Sequence, residues 1–309
     1  MAKRRKKKKK NEFLRVLLII VTFILGFYLS DIEGTYSLEE FSNIFTQNVF
    51  NEVNSNLIVS YLDVGQADSI LIENNGEYML IDAGNNEDGE LLVKYFNQKE
   101  INTFKYLVGT HPHEDHIGGL DDIINNFEVG TIYMPDVITT TKTFTDVLDV
   151  IESNELTYKV PKIQETFTLG EAKIEVIYTG TDTKELNNCS IVLRLVFGDT
   201  TFLFTGDAED KAEEIILNNN LNIHADVLKI GHHGSRYSTT DEFLKSVNPK
   251  YAIISVGTGN SYKHPESIVL NKLKANNIEI HRTDLEGTII VTSDGENITI
   301  NNIDTNING

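Results

Sequence analysis

The run THPHEDHIGG, residues 110–119, puts His111, His113 and His116 together with Glu114 and Asp115 inside six consecutive positions. Imidazole and carboxylate are the side chains that bind Zn²⁺, Mn²⁺ or Fe²⁺. Residues two apart in an extended segment project to the same side, so His111 and His113 can grip one ion. Asp115 and His116 are neighbours and can serve a second. The plain alternative, a solvated turn, leaves this density of potential metal donors unexplained.

Two further stretches end in the same way. FLFTGDAED, 202–210, is an apolar run that stops at Gly206-Asp207, and DVLKIGHHGS, 226–235, is one that stops at Gly231-His232-His233-Gly234. Strand ends are where α/β proteins place chemistry. Taken alone, Asp207 reads equally well as the N-cap of a following helix. Beside 110–119, it and the histidine pair read as the distant ligands that a metal loop requires.

The elements that must position these residues follow from periodicity. Apolar, β-branched runs predict strands at 57–62, 69–73 and 78–82, then a helix at 88–98, a strand at 105–109, and a helix over IGGLDDIINNF after the histidine loop. Further strands are predicted at 131–134, 173–178, 190–197 and 200–205, with Gly198-Asp199 as a tight hairpin turn between the last two. A helix at 208–219, strand 226–230, helix 240–247, strand 251–255, helix 265–276 and strands 278–282 and 288–292 complete the pattern. Early hairpins followed by strand–helix alternation imply an α/β domain of two sheets with helices outside. No repeat and no linker interrupts 56–301, which reads as one domain with a tail at 302–309.

THPHEDHIGG resembles the H-x-H-x-D-H signature of the metallo-β-lactamase superfamily. YLDVGQADSILI (61–72), LIDAGN (80–85), NNCSIVLRL (187–195), LFTGDAE (203–209), LKIGHHGS (228–235), GNSYKHP (259–265) and RTDLEGTI (282–289) stand in family order, so the resemblance covers nearly all of 56–295. The set is similar to the subgroup at the C-terminus of ComEC-type competence channels, which take up DNA. Related stand-alone domains include phosphorylcholine esterases of cell-wall teichoic acids. The resemblance implies a four-layer αβ/βα sandwich with the metal cleft between the sheets.

Residue by residue, His111, His113, Asp115 and His116 match the signature, and Asp207 matches the acid that bridges two metals. The last ligand falls in His232-His233. His232 is favoured because it follows the strand more directly, which leaves His233 to support a ligand or face substrate. Asp82 matches an acid that supports the first loop by hydrogen bonding. Asp63, Gln66 and Asp68 lie in a loop that approaches the site in this subgroup, with Ala67 where glycine is frequent.

One departure stands out. The wider superfamily has another histidine between the first loop and the bridging acid, but none of the eight histidines here falls between 117 and 223. The subgroup has an N-x-x-S pattern there, here Asn187 and Ser190. An amide oxygen is a weak zinc ligand, so the first site is expected to be loose, completed by water, or suited to Mn²⁺. The cofactor expectation is one or two Zn²⁺, with Mn²⁺ as the alternative. His264 and Tyr262 in GNSYKHP either orient a phosphate or belong to a loop capping the next helix. His224 and His281 read as structural.

A metal held by these ligands lowers the pKa of a bound water from 15.7 to roughly 7. With Asp115 and Asp207 as catalytic carboxylates, hydrolysis of a phosphodiester is the expected reaction, on DNA or an envelope phospho-ester. His264, Lys229 and Ser235 are candidates to neutralise developing charge. Hydrolysis of another ester or amide, and a non-catalytic metal-binding membrane module, are the competing readings.

Charge is unevenly distributed. Nine of the 27 basic groups and one of the 46 acidic groups lie in residues 1–15, so the rest of the chain carries about −27. Phosphate contacts need Lys and Arg, and such a body repels polyanions away from a local patch. DNA as substrate therefore rests on the resemblance. Residues 1–12 read as a basic cytoplasmic tip and 13–30, FLRVLLIIVTFILGFYLS, as a transmembrane anchor. Phe13 to Leu29 gives roughly 25 Å of helix, the short end of a span. A cleaved signal peptide is the alternative, but no A-x-A pattern follows the run. The only cysteine, Cys189, excludes a lipid-anchored cysteine after it. Residues 31–55 read as a stalk, with a short helix at 38–50. The domain is thus expected to be held outside the membrane, extracytoplasmic, by a single span. Oligomeric state leaves no mark in the sequence.

Overall fold

The structure, a computed structural model, describes residues 56–181 and 184–303. The basic tip, the 13–30 anchor, the 31–55 stalk with its helix, and residues 304–309 lie outside the described residues. No helix among the described residues is long and apolar enough to cross a membrane.

The first sheet takes β1 (Leu57–Tyr61), β2 (Ser69–Asn74), β3 (Glu77–Ala83), β4 (Thr103–Val108), β5 (Glu128–Tyr133), β6 (Tyr158–Lys159), β14 (Thr288–Ser293) and β15 (Ile298–Ile303). Their spatial order is β15-β14-β1-β2-β3-β4-β5-β6. The second sheet runs β13 (Glu279–Arg282), β12 (Tyr251–Ile254), β11 (Val227–Lys229), β10 (Thr200–Phe204), β9 (Val192–Phe197), β8 (Ala172–Tyr178) and β7 (Thr166–Leu169). Hairpins dominate one half of each sheet, and parallel pairs β3–β4–β5 and β10–β11–β12 the other.

Two-residue alternation in the strands sorts side chains into three separate cores. Val59, Tyr61, Ile70, Ile72, Met79 and Ile81 face Val176, Leu195, Phe202, Phe204, Val227 and Ile253 across the sheets. Their chain neighbours face outward. Leu71, Leu80 and Leu107 pack under α1 (Gly89–Gln98), α3 (Leu120–Asn126) and α4 (Lys142–Ser153). Leu203, Leu228, Ala252 and Ile254 pack under α5 (Asp210–Asn218), α6 (Asp241–Val247) and α7 (Ser267–Ala275). The result is helix, sheet, sheet, helix, as the alternation predicts. On the first outer face, Phe104 packs edge-on against Phe96 and Phe127, with centroids 5.2 and 5.3 Å away.

The predicted elements are present with shifted ends. α4 was not among them, although Thr141 caps it, its hydroxyl accepting from Phe144 N at 3.4 Å. β6, β7 and β15 were also missed. β6 has two residues, and β7 and β15 alternate exposed with half-buried positions, so none carries an apolar run. β9 begins at Val192 because Leu186–Cys189 forms a 3-10 turn. β15 ends at Ile303, two residues past the expected boundary.

Candidate metal centre

Three strand ends deliver the site. β4 runs out at Val108, the chain bends at His111 and Pro112, and α2 (Glu114–Ile117) begins with extended His113 as its N-cap. β10 delivers Asp207 and β11 delivers His232-His233. The glycines after His116 have a steric reason: a Cβ on Gly118 would stand 2.2 Å from the backbone carbon of Asn85. Only glycine lets α2 lie directly on the loop that leaves β3.

Asp82, at the end of β3, is the tether expected from the sequence. It holds a left-handed backbone, φ 59°, and accepts from Thr110 N and Thr110 Oγ1 at 2.7 Å each and from His116 Nδ1 at 2.8 Å. Asp82 thereby favours a proton on His116 Nδ1, and Nε2 faces Asp207 Oδ1 at 3.3 Å. His233 repeats the arrangement, with Nδ1 donating to Ser255 O at 2.9 Å while Nε2 faces Asp115 Oδ2 at 3.4 Å and Asp207 Oδ2 at 3.8 Å.

Asp115, His116, Asp207 and His233 place one donor atom each within 4.8 Å of one another. His116 Nε2, His233 Nε2 and Asp207 Oδ1 are buried without a hydrogen-bond partner. Such orphans are costly in a protein interior. Tetrahedral ligands bound at about 2.1 Å stand roughly 3.4 Å apart. The separations of 3.3 and 3.4 Å match, so these residues fit a divalent metal ion.

This corrects the expected ligand. His233, not His232, enters the four-residue cluster. Both residues adopt left-handed backbone, φ 46° and 51°. The turn sends His233 inward, its side chain 2% exposed, and leaves His232 at the cleft with 24%. The assumption that direct succession after the strand selects the ligand ignored this reversal.

Asn187 and Ser190 act on other side chains. Ser190 Oγ accepts from Asp207 N at 3.1 Å and lies 3.4 Å from His111 Nδ1. Asn187 Nδ2 donates to Glu209 Oε1 at 3.0 Å. Glu209, which the sequence reading missed, also accepts from His232 Nδ1 at 3.1 Å; an acid two residues after Asp207 was the available signal. His111 Nε2 stands 3.0 Å from His113 Nδ1 and 4.0 Å from Asp207 Oδ2.

Asp68 is buried behind the cluster, paired with Lys229 Nζ at 2.8 Å and 3.6 Å from His233 Nδ1. Lys229 is fully buried in that pair and cannot reach substrate, and Ser235 is buried with its Oγ accepting from Tyr237 N. Both are corrected as charge neutralisers. Asp63 caps a local turn by accepting from Gly65 N at 3.3 Å.

A cleft of about 310 Å³ opens over the cluster, lined by Gln66, Tyr262 and His264 beside the ligands. His264 therefore faces the site, 5.5 Å ring to ring from His232, with exposed Tyr262 stacked on it at 5.8 Å. Gln66 ties the first loop across by accepting from Gly257 N at 3.1 Å. A broader cleft of about 760 Å³ adjoins, lined by Glu87, Asp88, Glu114 and Asp115 and by no Lys or Arg. His224 and His281 make structural contacts, to Val247 O and Glu286.

Charge follows the geometry. Burial pushes His116 down, but Asp207, Asp82 and Asp115 together raise it well above its ordinary value. Burial and the nearby His116 hold His111 well below it. Asp207 and Asp115 resist the upward push of burial, because His116 and His233 keep both carboxyls below the usual range.

A family model described as the metallo-beta-lactamase superfamily matches residues 62–258. ComE operon protein 3 of Bacillus subtilis (strain 168) is 31% identical over 250 residues, 75% of this chain and 32% of that protein. Competence protein ComA of Neisseria gonorrhoeae is 29% identical over 235 residues, 75% of this chain and 31% of its own length. The chain thus spans about a third of the curated relatives it matches. Among solved structures, the metallo-beta-lactamase fold protein YhfI from Bacillus subtilis superposes with TM-score 0.51 at 12% identity, covering 79% of this chain and 100% of that one. CmlA, a diiron beta-hydroxylase from Streptomyces venezuelae, gives 0.51 at 13%, covering 80% and 54%. These two speak for the fold alone. With the family model spanning the strands that carry Asp82, the histidine loop, Asp207 and His233, the chain belongs to the metallo-β-lactamase superfamily.

Proposed function

We propose that the protein is a membrane-anchored, metal-dependent phosphodiesterase acting on DNA or an envelope phospho-ester. One observation carries this reading: Asp115, His116, Asp207 and His233 meet at ligand spacing, with three orphaned donor atoms, under an open cleft. A bound divalent ion, Zn²⁺ or Mn²⁺, supplies a Lewis acid and an acidified water there.

The chain's own residues do the rest. Asp82 and the Ser255 carbonyl accept from Nδ1 of His116 and His233, which turns each Nε2 toward the position a cation would take. Asp115, ionised and half-buried at the cleft floor, accepts a hydrogen bond from the attacking water and orients it. His264 and Tyr262, on the cleft rim, are placed to contact the phosphoryl oxygens.

The competence relatives favour DNA as substrate, and the acidic lining of the larger cleft favours a small phosphodiester, since it repels a polyanion. The 13–30 span would hold the domain on the extracytoplasmic side. The test is turnover of bis-p-nitrophenyl phosphate by the metal-replete chain, with DNA, teichoic acid and carboxylic esters in parallel. Chelation should abolish it, and Mn²⁺ or Zn²⁺ should restore it. Carboxylic-ester turnover without phosphodiester turnover would move the protein to the alternative hydrolase reading. Metal binding without any turnover would leave a metal-binding membrane module. An alkaline-phosphatase fusion after Gly309 that is expressed but inactive would reverse the orientation.

A further inference from the structure

The loop between β12 and α7 carries Tyr262 and His264 to the rim of the cleft, and it is anchored at both ends. At its start Gly257 N donates to Gln66 Oε1 at 3.1 Å, so closely that a Cβ on Gly257 would stand 2.6 Å from Gln66 N. At its end Pro265 fills the space over Gly234, where a Cβ would stand 2.5 Å from the proline ring, and Glu266 N donates to Gly234 O at 2.9 Å. Between these anchors Ser261, Tyr262 and Lys263 are exposed. Lys263 also holds left-handed backbone, φ 63°, which is unfavourable for a residue with a Cβ. Such a turn persists only where its surroundings hold it.

One side chain ties it. Asn260 Nδ2 donates to His264 O at 2.7 Å and to Gly257 O at 2.9 Å, and Asn260 Oδ1 accepts from His264 N at 3.0 Å. A single amide thus holds both backbone polar groups of His264 and joins them to the Gly257 anchor. The His264 ring is placed by packing, stacked on Tyr262 at 5.8 Å and edge-on to His232 at 5.5 Å. Its Nδ1 is buried without a hydrogen-bond partner. Orphaned buried N–H groups are rarer than orphaned acceptors, so this burial favours the proton on Nε2, in a ring that lines the cleft.

We propose that Asn260 is a positioning residue: its amide fixes the His264 backbone so that His264 Nε2 presents a hydrogen-bond donor to a phosphoryl oxygen of the substrate. Asn260 itself makes no substrate contact and acts through His264. The inference rests on the reading of the cleft as a phosphodiester site. Asparagine is required because the turn needs two donors and one acceptor from the same short side chain. Aspartate would keep the acceptor but set a carboxylate against the carbonyls of Gly257 and His264.

The test is a double-mutant cycle on bis-p-nitrophenyl phosphate turnover by the metal-replete full-length chain, read beside the histidine ring-proton lines in NMR. His264→Ala should lower kcat/KM roughly 10- to 100-fold. Asn260→Ala should lower it by part of that factor, chiefly through a raised KM. Asn260→Asp should do the same, and it serves if the alanine variant fails to fold. In the His264→Ala background Asn260→Ala should add less than about 2-fold, because the residue through which it acts is gone. In NMR both Asn260 variants should move the His264 line, identified by its absence in His264→Ala, toward that of free imidazole as the ring leaves the Tyr262 stack. The lines of His224 and His281 should stay in place. Losses that multiply in the double variant, or a His264 line unmoved in both Asn260 variants, would overturn the positioning role. Movement of the His224 and His281 lines as well would also overturn it, by showing a general loosening. A wild type without turnover, in which the Asn260 variants still move the His264 line alone, would overturn the phosphodiesterase reading and uphold the grip of Asn260 on His264.

Discussion

Replacing Asp82 by Asn tests how the first loop is held. The aspartate accepts three hydrogen bonds, from Thr110 N, Thr110 Oγ1 and His116 Nδ1. Asparagine keeps the size and tolerates the left-handed backbone, and its Oδ1 can still accept from Thr110 N. Its amide nitrogen then replaces Oδ2 and presents protons to His116 Nδ1, which already carries one. Relief comes by moving the imidazole proton to Nε2, the atom that faces Asp207 at 3.3 Å. A protonated Nε2 has no lone pair for a metal. Loss of a carboxylate behind a ligating histidine costs roughly 10- to 100-fold in affinity, or about 1.4–2.7 kcal/mol. The lost charge-assisted hydrogen bond to His116 should also lower apo stability by about 1.5–3 kcal/mol. Competition of the stripped full-length chain against a chromophoric zinc chelator reads the first effect, and a thermal melt of the apo protein reads the second. Asp82→Asn binding Zn²⁺ as tightly as wild type would refute the tautomer argument.

Lys229→Met takes the ammonium away from buried Asp68, and should destabilise the fold by about 3–5 kcal/mol; a loss below about 1 kcal/mol in urea unfolding followed by circular dichroism would contradict the buried pair. Phe104→Ala removes the ring that joins Phe96 to Phe127 and should cost about 3–5 kcal/mol in the same measurement, with metal affinity of the folded protein unchanged. Burial raises Asp226, but Lys250 and Thr201 outweigh it and hold its carboxyl below the ordinary 3.8. A depressed folded pKa contributes stability above the unfolded value, and that stability disappears as pH falls through the folded value. Asp226→Asn should therefore melt below wild type at pH 7, with the gap closing below about pH 4; a gap independent of pH would show that charge is not the cause.

The sequence by itself determined the ligand types, their loops and the fold class. Those properties are local: His111 to His116 lie within six residues, and two-residue alternation in runs such as LIVSY and FLF already divides inward from outward side chains. α4 was missed although its pattern is equally local, while β6, β7 and β15 carry no apolar run for alternation to show. Tertiary structure alone decided which of two adjacent histidines enters the cluster, because two left-handed residues in the turn aim His232 and His233 differently. It also decided what Asn187 and Ser190 do. The sequence placed them at a missing ligand, while the fold sets Asn187 against Glu209, 22 positions away, and Ser190 against His111, 79 positions away. Lys229 looked like a cation for substrate until the packing of the two sheets buried it on Asp68. Residue type and short-range spacing constrain what chemistry a chain can do; which partner a side chain meets depends on strands brought together from distant parts of the chain, and no local pattern encodes that meeting.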